Sequence, residues 1–222
     1  MKSSRDPWFA CMVDPLPTDA APHTVSAFYD RFPYPGDTVQ EGPPPGYNWR
    51  WCQRSVLAAG HGAIPAVGPA PRILDAGCGT GQAGALMAAA GFNKFDGADL
   101  SPEMRAVAAR LGVYKSLYHL DMTADYAPQI ADYNAPYDAV ICLGGFGDCP
   151  PHVGDLPRIM DAARPSAPVL VTVNGKGWEK LGWDDSLLPV LDAAGVTLAA
   201  RTRIRHMVAE GVHAEMLELR RG

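Results

Sequence analysis

Three absences bound the chain before any motif is read. No apolar run approaches the ~20 residues that a bilayer-crossing helix needs. The opening "MKSSRDPWFACMVDPLPTDAAP" is interrupted by Asp6, Asp14, Pro7, Pro15 and Pro17, where a signal peptide requires an unbroken apolar stretch, so a cytoplasmic protein is expected. The five cysteines contain no CxxC pair and are odd in number, which fits thiols in a reducing compartment. The segment "CPPH" sets Cys149 near His152, but no second ligand pair accompanies it and no metal centre is expected. A basic excess is also missing. Nineteen Lys and Arg stand against 24 Asp and Glu, a net charge of -5, which argues against a nucleic-acid partner because phosphate neutralisation needs concentrated cations. The one basic cluster, Arg201, Arg203 and Arg205, has strand spacing and reads as a solvated strand face. Internal repeats and low-complexity tails are absent as well, and nothing in the sequence speaks to oligomeric state.

Proline is abundant but unevenly spread. Residues 1–70 carry "DPLPTDAAP", "FPYPGD", "EGPPPG" and "AIPAVGPAP", too many prolines for long helices. This region reads as a proline-rich helical appendage or lid laid across the main domain, with short helices at "HTVSAFYDRF" and "YNWRWCQRSVLAAGH". Residues 71–222 form the main domain. Strand-like runs ("RILDAG", "KFDGADL", "KSLYHLD", "YDAVICLGG", "APVLVTVNG") alternate there with helical segments. Ser101 and Pro102 fit an N-cap and first helical residue, and Gly91, Gly112 and Gly195 sit where helix C-caps belong. The alternation predicts an α/β fold with a mostly parallel sheet covered on both faces. The last two runs, "VTLAARTRIRHM" and "HAEMLELRR", have only a short connection between them, so they form a hairpin and the last strand is antiparallel.

The stretch "RILDAGCGTGQAG" carries the functional signal. In an open α/β sheet a ligand lies beyond the carboxyl ends of the strands, and Gly77, Gly79 and Gly81 let bare backbone approach it there. Gly79, Gly81 and Gly84 also satisfy the dinucleotide pattern GxGxxG, so the spacing alone leaves a nicotinamide-dependent oxidoreductase open. Asp75 shifts the balance. A carboxylate immediately before the loop repels a pyrophosphate and suits a ligand with a cationic end. Asp99 and Asp121 then close the next two strand-like runs. Asp99 stands where a carboxylate takes both hydroxyls of a ribose. Asp121 is placed to accept from an adenine amino group beside the Met122 backbone, with Leu100 and Met104 as apolar flanks. Three strand-tip acids around one glycine loop indicate a nucleoside site.

These residues resemble the class I S-adenosylmethionine-dependent methyltransferases of small-molecule type over residues 71–174. "ILDAGCGTG" is similar to the family's first motif, "DLSPEM" to its ribose motif, "LDM" to its adenine motif and "YDAVICLGG" to its fourth. The resemblance implies a Rossmann-like, doubly wound, seven-stranded sheet with an antiparallel last strand. It implies S-adenosylmethionine contacts at Asp75, Gly77, Gly79, Asp99, Leu100, Asp121 and Met122, and places Leu143 near the methionine portion. The chain departs from the family's "RPGG" turn with "RPSAP" at 164–168.

Methyl transfer from a donor with a good leaving group rests on positioning a nucleophile in line and excluding water, with a general base where the acceptor is a hydroxyl or an acidic amine. His152 is the first candidate base and Asp148 the second, both following the fourth strand. Tyr29, Tyr34 and Trp178, the last in a loop expected after "VLVTVNG", are candidate contacts to a small-molecule acceptor. A nucleoside-binding protein of the same fold without catalysis is the alternative.

Overall fold

The computed structural model describes residues 70–207 and 212–222; Tyr29 and Tyr34, in the expected appendage, lie outside them. The elements run β1 (Ile73–Ala76), α1 (Gln82–Ala89), β2 (Phe95–Asp99), α2 (Pro102–Ala109), β3 (Leu117–His119), α3 (Tyr126–Gln129), β4 (Ala139–Phe146), a 3-10 helix (Val153–Ala162), β5 (Val169–Asn174), α4 (Gly175–Lys180), α5 (Trp183–Ala193), β6 (Val196–Met207) and β7 (Val212–Arg221). None of the described helices is long and apolar enough to cross a membrane.

The seven strands form one sheet in the order β3-β2-β1-β4-β5-β7-β6. The pairs β1–β2, β1–β4, β2–β3 and β4–β5 are parallel, whereas β7 is antiparallel to both β5 and β6. The hairpin expected at the end of the chain is present, and its return strand slots between β5 and β6. The sheet is therefore the expected one. The central strands are apolar along their length because helices cover both faces.

Alternation along β1 assigns its side chains. Leu74 and Ala76 enter the larger core with Val140, Leu156 and Trp183, while Ile73 enters the smaller one with Ala83 and Met87 of α1. Asp75 shares the Ile73 face and thus lies on the α1 side of the sheet. The Ser101 hydroxyl caps α2 by accepting from the Met104 amide at 3.2 Å, with Pro102 in the first turn. Gly91, Gly112 and Gly195 adopt positive φ beyond the ends of α1, α2 and α5.

Three local readings are corrected. The segment after β5 is not a loop: the Asn174 side chain accepts from the Lys176 amide at 2.8 Å and starts α4. The arginines of β6 are not merely solvated. Arg201 Nε and Arg203 Nε donate to Glu215, 2.9 and 2.7 Å away on β7, where that carboxylate is buried. Burial pushes the Glu215 carboxyl up, but the two guanidiniums outweigh it and hold the group below its ordinary range. Finally, Cys149 is disulfide-bonded, against the expectation of free thiols, whereas Cys78 and Cys142 are free and buried.

The "RPSAP" departure has a defined shape. The Ala167 amide bonds the Arg164 carbonyl at 3.0 Å, with Pro165 and Ser166 at the centre and Ser166 at φ 61°. That is a type II turn with a non-glycine residue in its left-handed position.

Candidate active site

Strand order reverses between β1 and β4, opening a crevice at their carboxyl ends. The glycine loop sits there and joins β1 to α1. Gly77 and Cys78 anchor it by donating to the Ala98 carbonyl of β2 at 2.8 and 3.0 Å. The glycines serve different ends. A Cβ on Gly79 would meet nothing within 4 Å, so this residue borders open space. On Gly77 it would sit 3.3 Å from Met122 Cε, and on Gly81 2.8 Å from Leu111 Cδ1. On Gly84 it would lie 2.4 Å from the Tyr114 hydroxyl.

Tyr114, between α2 and β3, accounts for that last collision. Its ring fills the gap left by Gly81, Gly84 and Gly97 and stands edge-on to Phe95 at 5.3 Å. Its hydroxyl accepts from the Gly84 amide at 3.2 Å and donates to Asp75 Oδ2 at 2.7 Å. Gly84 lies in the first turn of α1, so its amide is one of the helix-end donors without an intrahelical partner. In a dinucleotide site such donors face a pyrophosphate. Here a phenol takes this one, with a carboxylate behind it. The third glycine of GxGxxG thus makes room for Tyr114, which weighs against the oxidoreductase reading.

Asp75 is 1% exposed. Burial pushes its carboxyl up to about 7, the Tyr114 bond works against that rise, and the charge of Asp99 adds to it. Asp99, at the tip of β2, accepts from the Gly79 amide through Oδ2 (2.8 Å) and from the Ser101 amide through Oδ1 (2.9 Å). Burial raises its carboxyl too, while the Ser101 and Gly79 amides and Arg105 pull it down. Arg105 donates to the carbonyls of Asp99 and Leu100 and so fixes the chain at the start of α2. Asp121 lies just beyond the tip of β3. Its Oδ1 accepts from the Thr123 amide (2.8 Å) and hydroxyl (2.7 Å). The Gln129 side chain clasps the Asp121 backbone, accepting from its amide at 2.8 Å and donating to its carbonyl at 2.9 Å.

The other expected residues take distinct places. Met104 is buried on α2 and Leu100 is half-buried. The Met122 side chain lies beside Gly77 and Gly145, its sulfur 3.8 Å from Cys142 Sγ. Leu143 packs against both the Ile73 cluster and the Ile204–Met216 cluster. Beyond it β4 bulges, and the Gly144 amide donates to the buried Thr172 hydroxyl at 2.8 Å.

Beyond β4, an open, shallow cleft at the surface is lined by Asp148, Lys176, Glu179 and Lys180. Asp148 lies 3.8 Å from Lys180 Nζ. His152 precedes the 3-10 helix, and its backbone amide donates to Asp155 Oδ2 at 2.8 Å. Both of its ring nitrogens are buried without a hydrogen-bond partner among the described residues. Trp178 does not line this cleft. It is 2% exposed, stacked on Trp183 at 5.4 Å on one side and against the Arg201 guanidinium at 4.1 Å, so it is a core residue and offers no ring face to an acceptor. Asp75, Gly77, Gly79, Gly81 and Asp99 are thus joined in one bonded unit, Asp121 and Met122 flank it, and Asp148 and His152 follow β4.

Sequence comparison agrees with this geometry. Residues 73–165 match the family model described as a methyltransferase domain. Residues 73–165 are thus similar to the methyltransferase domain family, within a Rossmann-like sheet. A protein of Synechococcus sp. described only as uncharacterised is 38% identical to the chain over 146 residues, 64% of this chain and 33% of that protein. An uncharacterised phycocyanin operon protein W of Pseudanabaena tenuis is 42% identical over 57 residues, 26% of this chain and 53% of that one. The chain therefore spans about a third and about half of these two relatives. Among solved structures, the chain superposes on magnesium protoporphyrin IX methyltransferase of Synechocystis PCC 6803 with bound SAM. The TM-score is 0.60 at 17% identity, covering 93% of this chain and 100% of that one. It also superposes on the 4+2 cyclase SpnF with a TM-score of 0.64 at 17% identity, covering 91% and 97%. At these identities the structural likeness carries the fold and not the acceptor.

Proposed function

We propose that the domain transfers a methyl group from S-adenosylmethionine to a small-molecule acceptor by in-line displacement. The observation that carries this reading is the ring of carboxylates at Asp75 on β1, Asp99 at the end of β2 and Asp121 just beyond β3, around a loop whose Gly79 borders open space. That set fits the cofactor. Asp99, already oriented by two amides, would hold the ribose hydroxyls. Asp121 and the Met122 backbone would meet the adenine edge, with Leu100 and Met104 as apolar flanks. Asp75 supplies negative charge behind the loop for the cationic end. Leu143 would border the methionine portion.

When bound, S-adenosylmethionine supplies an electrophilic methyl group on a sulfonium leaving group. The residues of the chain have only to hold the acceptor in line and keep water away, which lowers the barrier through proximity and orientation. His152, whose ring nitrogens have no partner among the described residues, is the proposed proton acceptor for an ionisable nucleophile, and Asp148 the second. The cleft beside Asp148 receives the acceptor.

A second reading, nucleoside binding without methyl transfer, draws on the likeness to a protein named as a cyclase. Calorimetry with S-adenosylhomocysteine and with NAD tests the cofactor: binding of the first and not the second is expected, and the reverse overturns the reading. Incubation with a labelled methyl donor and a panel of small phenols, amines, thiols and carboxylates tests the transfer. His152→Ala should lower turnover with unchanged cofactor affinity.

A further inference from the structure

The acids at the strand tips were legible in the sequence, but the group that sets the state of the first of them was not. Asp75 is buried on the α1 face of β1 and receives the Tyr114 hydroxyl at 2.7 Å. That hydroxyl also accepts from Gly84 in the first turn of α1. Three glycines, Gly81 of the glycine loop, Gly84 of α1 and Gly97 of β2, leave the space in which the ring lies. A chain of two hydrogen bonds therefore runs from the helix terminus through a phenol to a carboxylate directly beneath the glycine loop.

We propose that Tyr114 is a positioning residue for cofactor binding, holding the Asp75 carboxylate and the first turn of α1 in the arrangement that the loop needs to receive the cationic end of the cofactor. This inference rests on the cofactor assignment above and deepens it. Tyr114 acts through Asp75 and need not touch the ligand.

Among the described residues, the charged and titratable groups around Asp75 are few. Tyr114 comes from the α2–β3 connection, Cys78 from the loop, Asp99 from the tip of β2 and Cys142 from β4. Arg105, on α2, acts on Asp99 and Cys78. Burial pushes both thiols and the Tyr114 phenol up, so all three stay neutral through the physiological range. Asp99 is raised by burial but carries two amide bonds. Asp75 is the group near neutrality, and among its interactions the Tyr114 bond favours the charged form. Removing the hydroxyl shifts the ionisation of Asp75 to higher pH.

Tyr114→Phe keeps the ring in its gap and deletes only the hydroxyl. Calorimetry with S-adenosylhomocysteine from pH 6 to 8.5 should show affinity lowered by about tenfold near pH 7, the size expected for one hydrogen bond to a charged group. The deficit should shrink toward pH 8.5, and the pH midpoint of binding should lie higher than in the parent. Carbon-13 NMR of the Asp75 carboxyl in the ligand-free protein should show the same upward displacement. In an Asp75→Asn background Tyr114→Phe should change affinity little, because the two residues act as one unit. Equal affinity and a common midpoint for parent and Tyr114→Phe overturn the role of Tyr114 alone. A parent protein that fails to bind S-adenosylhomocysteine at any pH overturns the cofactor assignment, and this role with it.

Discussion

The Gly79 amide and the Asp99 carboxylate are joined by a 2.8 Å hydrogen bond that ties the glycine loop to the tip of β2. The same carboxylate orders Ser101, which caps α2. Asp99→Ala therefore removes the proposed ribose acceptor and releases two amides at once. Affinity for S-adenosylhomocysteine is expected to fall by about ten- to a hundredfold, read by calorimetry. Asp99→Asn retains an acceptor oxygen and should lose less. Parental affinity in Asp99→Ala would place the nucleoside elsewhere.

Gly84 and Gly79 separate packing from binding. Alanine suits a helix better than glycine by roughly 0.5–1 kcal/mol, but at Gly84 the new Cβ would overlap the Tyr114 ring end at 2.4 Å. Gly84→Ala should therefore lower stability by about 1–3 kcal/mol, seen as a fall in Tm, and in a Tyr114→Ala background the same substitution should cost nothing further. Gly79→Ala meets no neighbour. Its left-handed φ costs about 1 kcal/mol, and its larger effect should appear in cofactor affinity, because the added methyl projects into open space.

Asp75 sets stability against function. Its carboxyl titrates near 7 in the folded chain and near 3.9 when unfolded. Between those values the folded state holds a proton that the unfolded state has released, so parental stability falls as pH rises from about 4 to about 7 and stays lower above. Asp75→Asn lacks this penalty. Relative to the parent it should gain roughly 2–4 kcal/mol between pH 4 and pH 8, measured by urea unfolding, while losing cofactor affinity. A difference between the two proteins that does not vary with pH contradicts the assignment.

Ser166 occupies a left-handed position at φ 61° in the turn before β5. Glycine reaches that conformation without a Cβ penalty. Ser166→Gly should raise stability by about 0.5–1 kcal/mol, with no change in cofactor binding. Thermal unfolding of the two proteins decides it.

The legible part of the fold was its local part. Strands such as "VLVTV" announce themselves as short apolar runs, Ser101–Pro102 marks a helix start, and the acids at the tips of β1 and β2 follow from where each run stops. Tyr114 was invisible because its partners, Asp75 and Gly84, lie 39 and 30 residues away. The one clue was Gly97 in the middle of β2, where a missing side chain signals a close approach. Gln129 escaped for the same reason: nothing in its own turn of helix names Asp121 as a partner. Trp178 was misjudged because composition cannot tell which faces of an indole are covered. Asn174, a cap, turned an apparent loop into α4.

Two backbone contacts beside Asp148 limit how that face can move. A Cβ on Gly177 of α4 would lie 2.5 Å from the Gly147 carbonyl carbon, and one on Gly175 2.5 Å from the His213 carbonyl oxygen. Backbone is pressed on backbone at both points. The segment after β4 and the helix after β5 consequently behave as a single jaw. Widening the face beside Asp148 means swinging both together, so at the proposed acceptor site larger molecules would be admitted by reshaping side chains along the rim and not by loosening either segment alone.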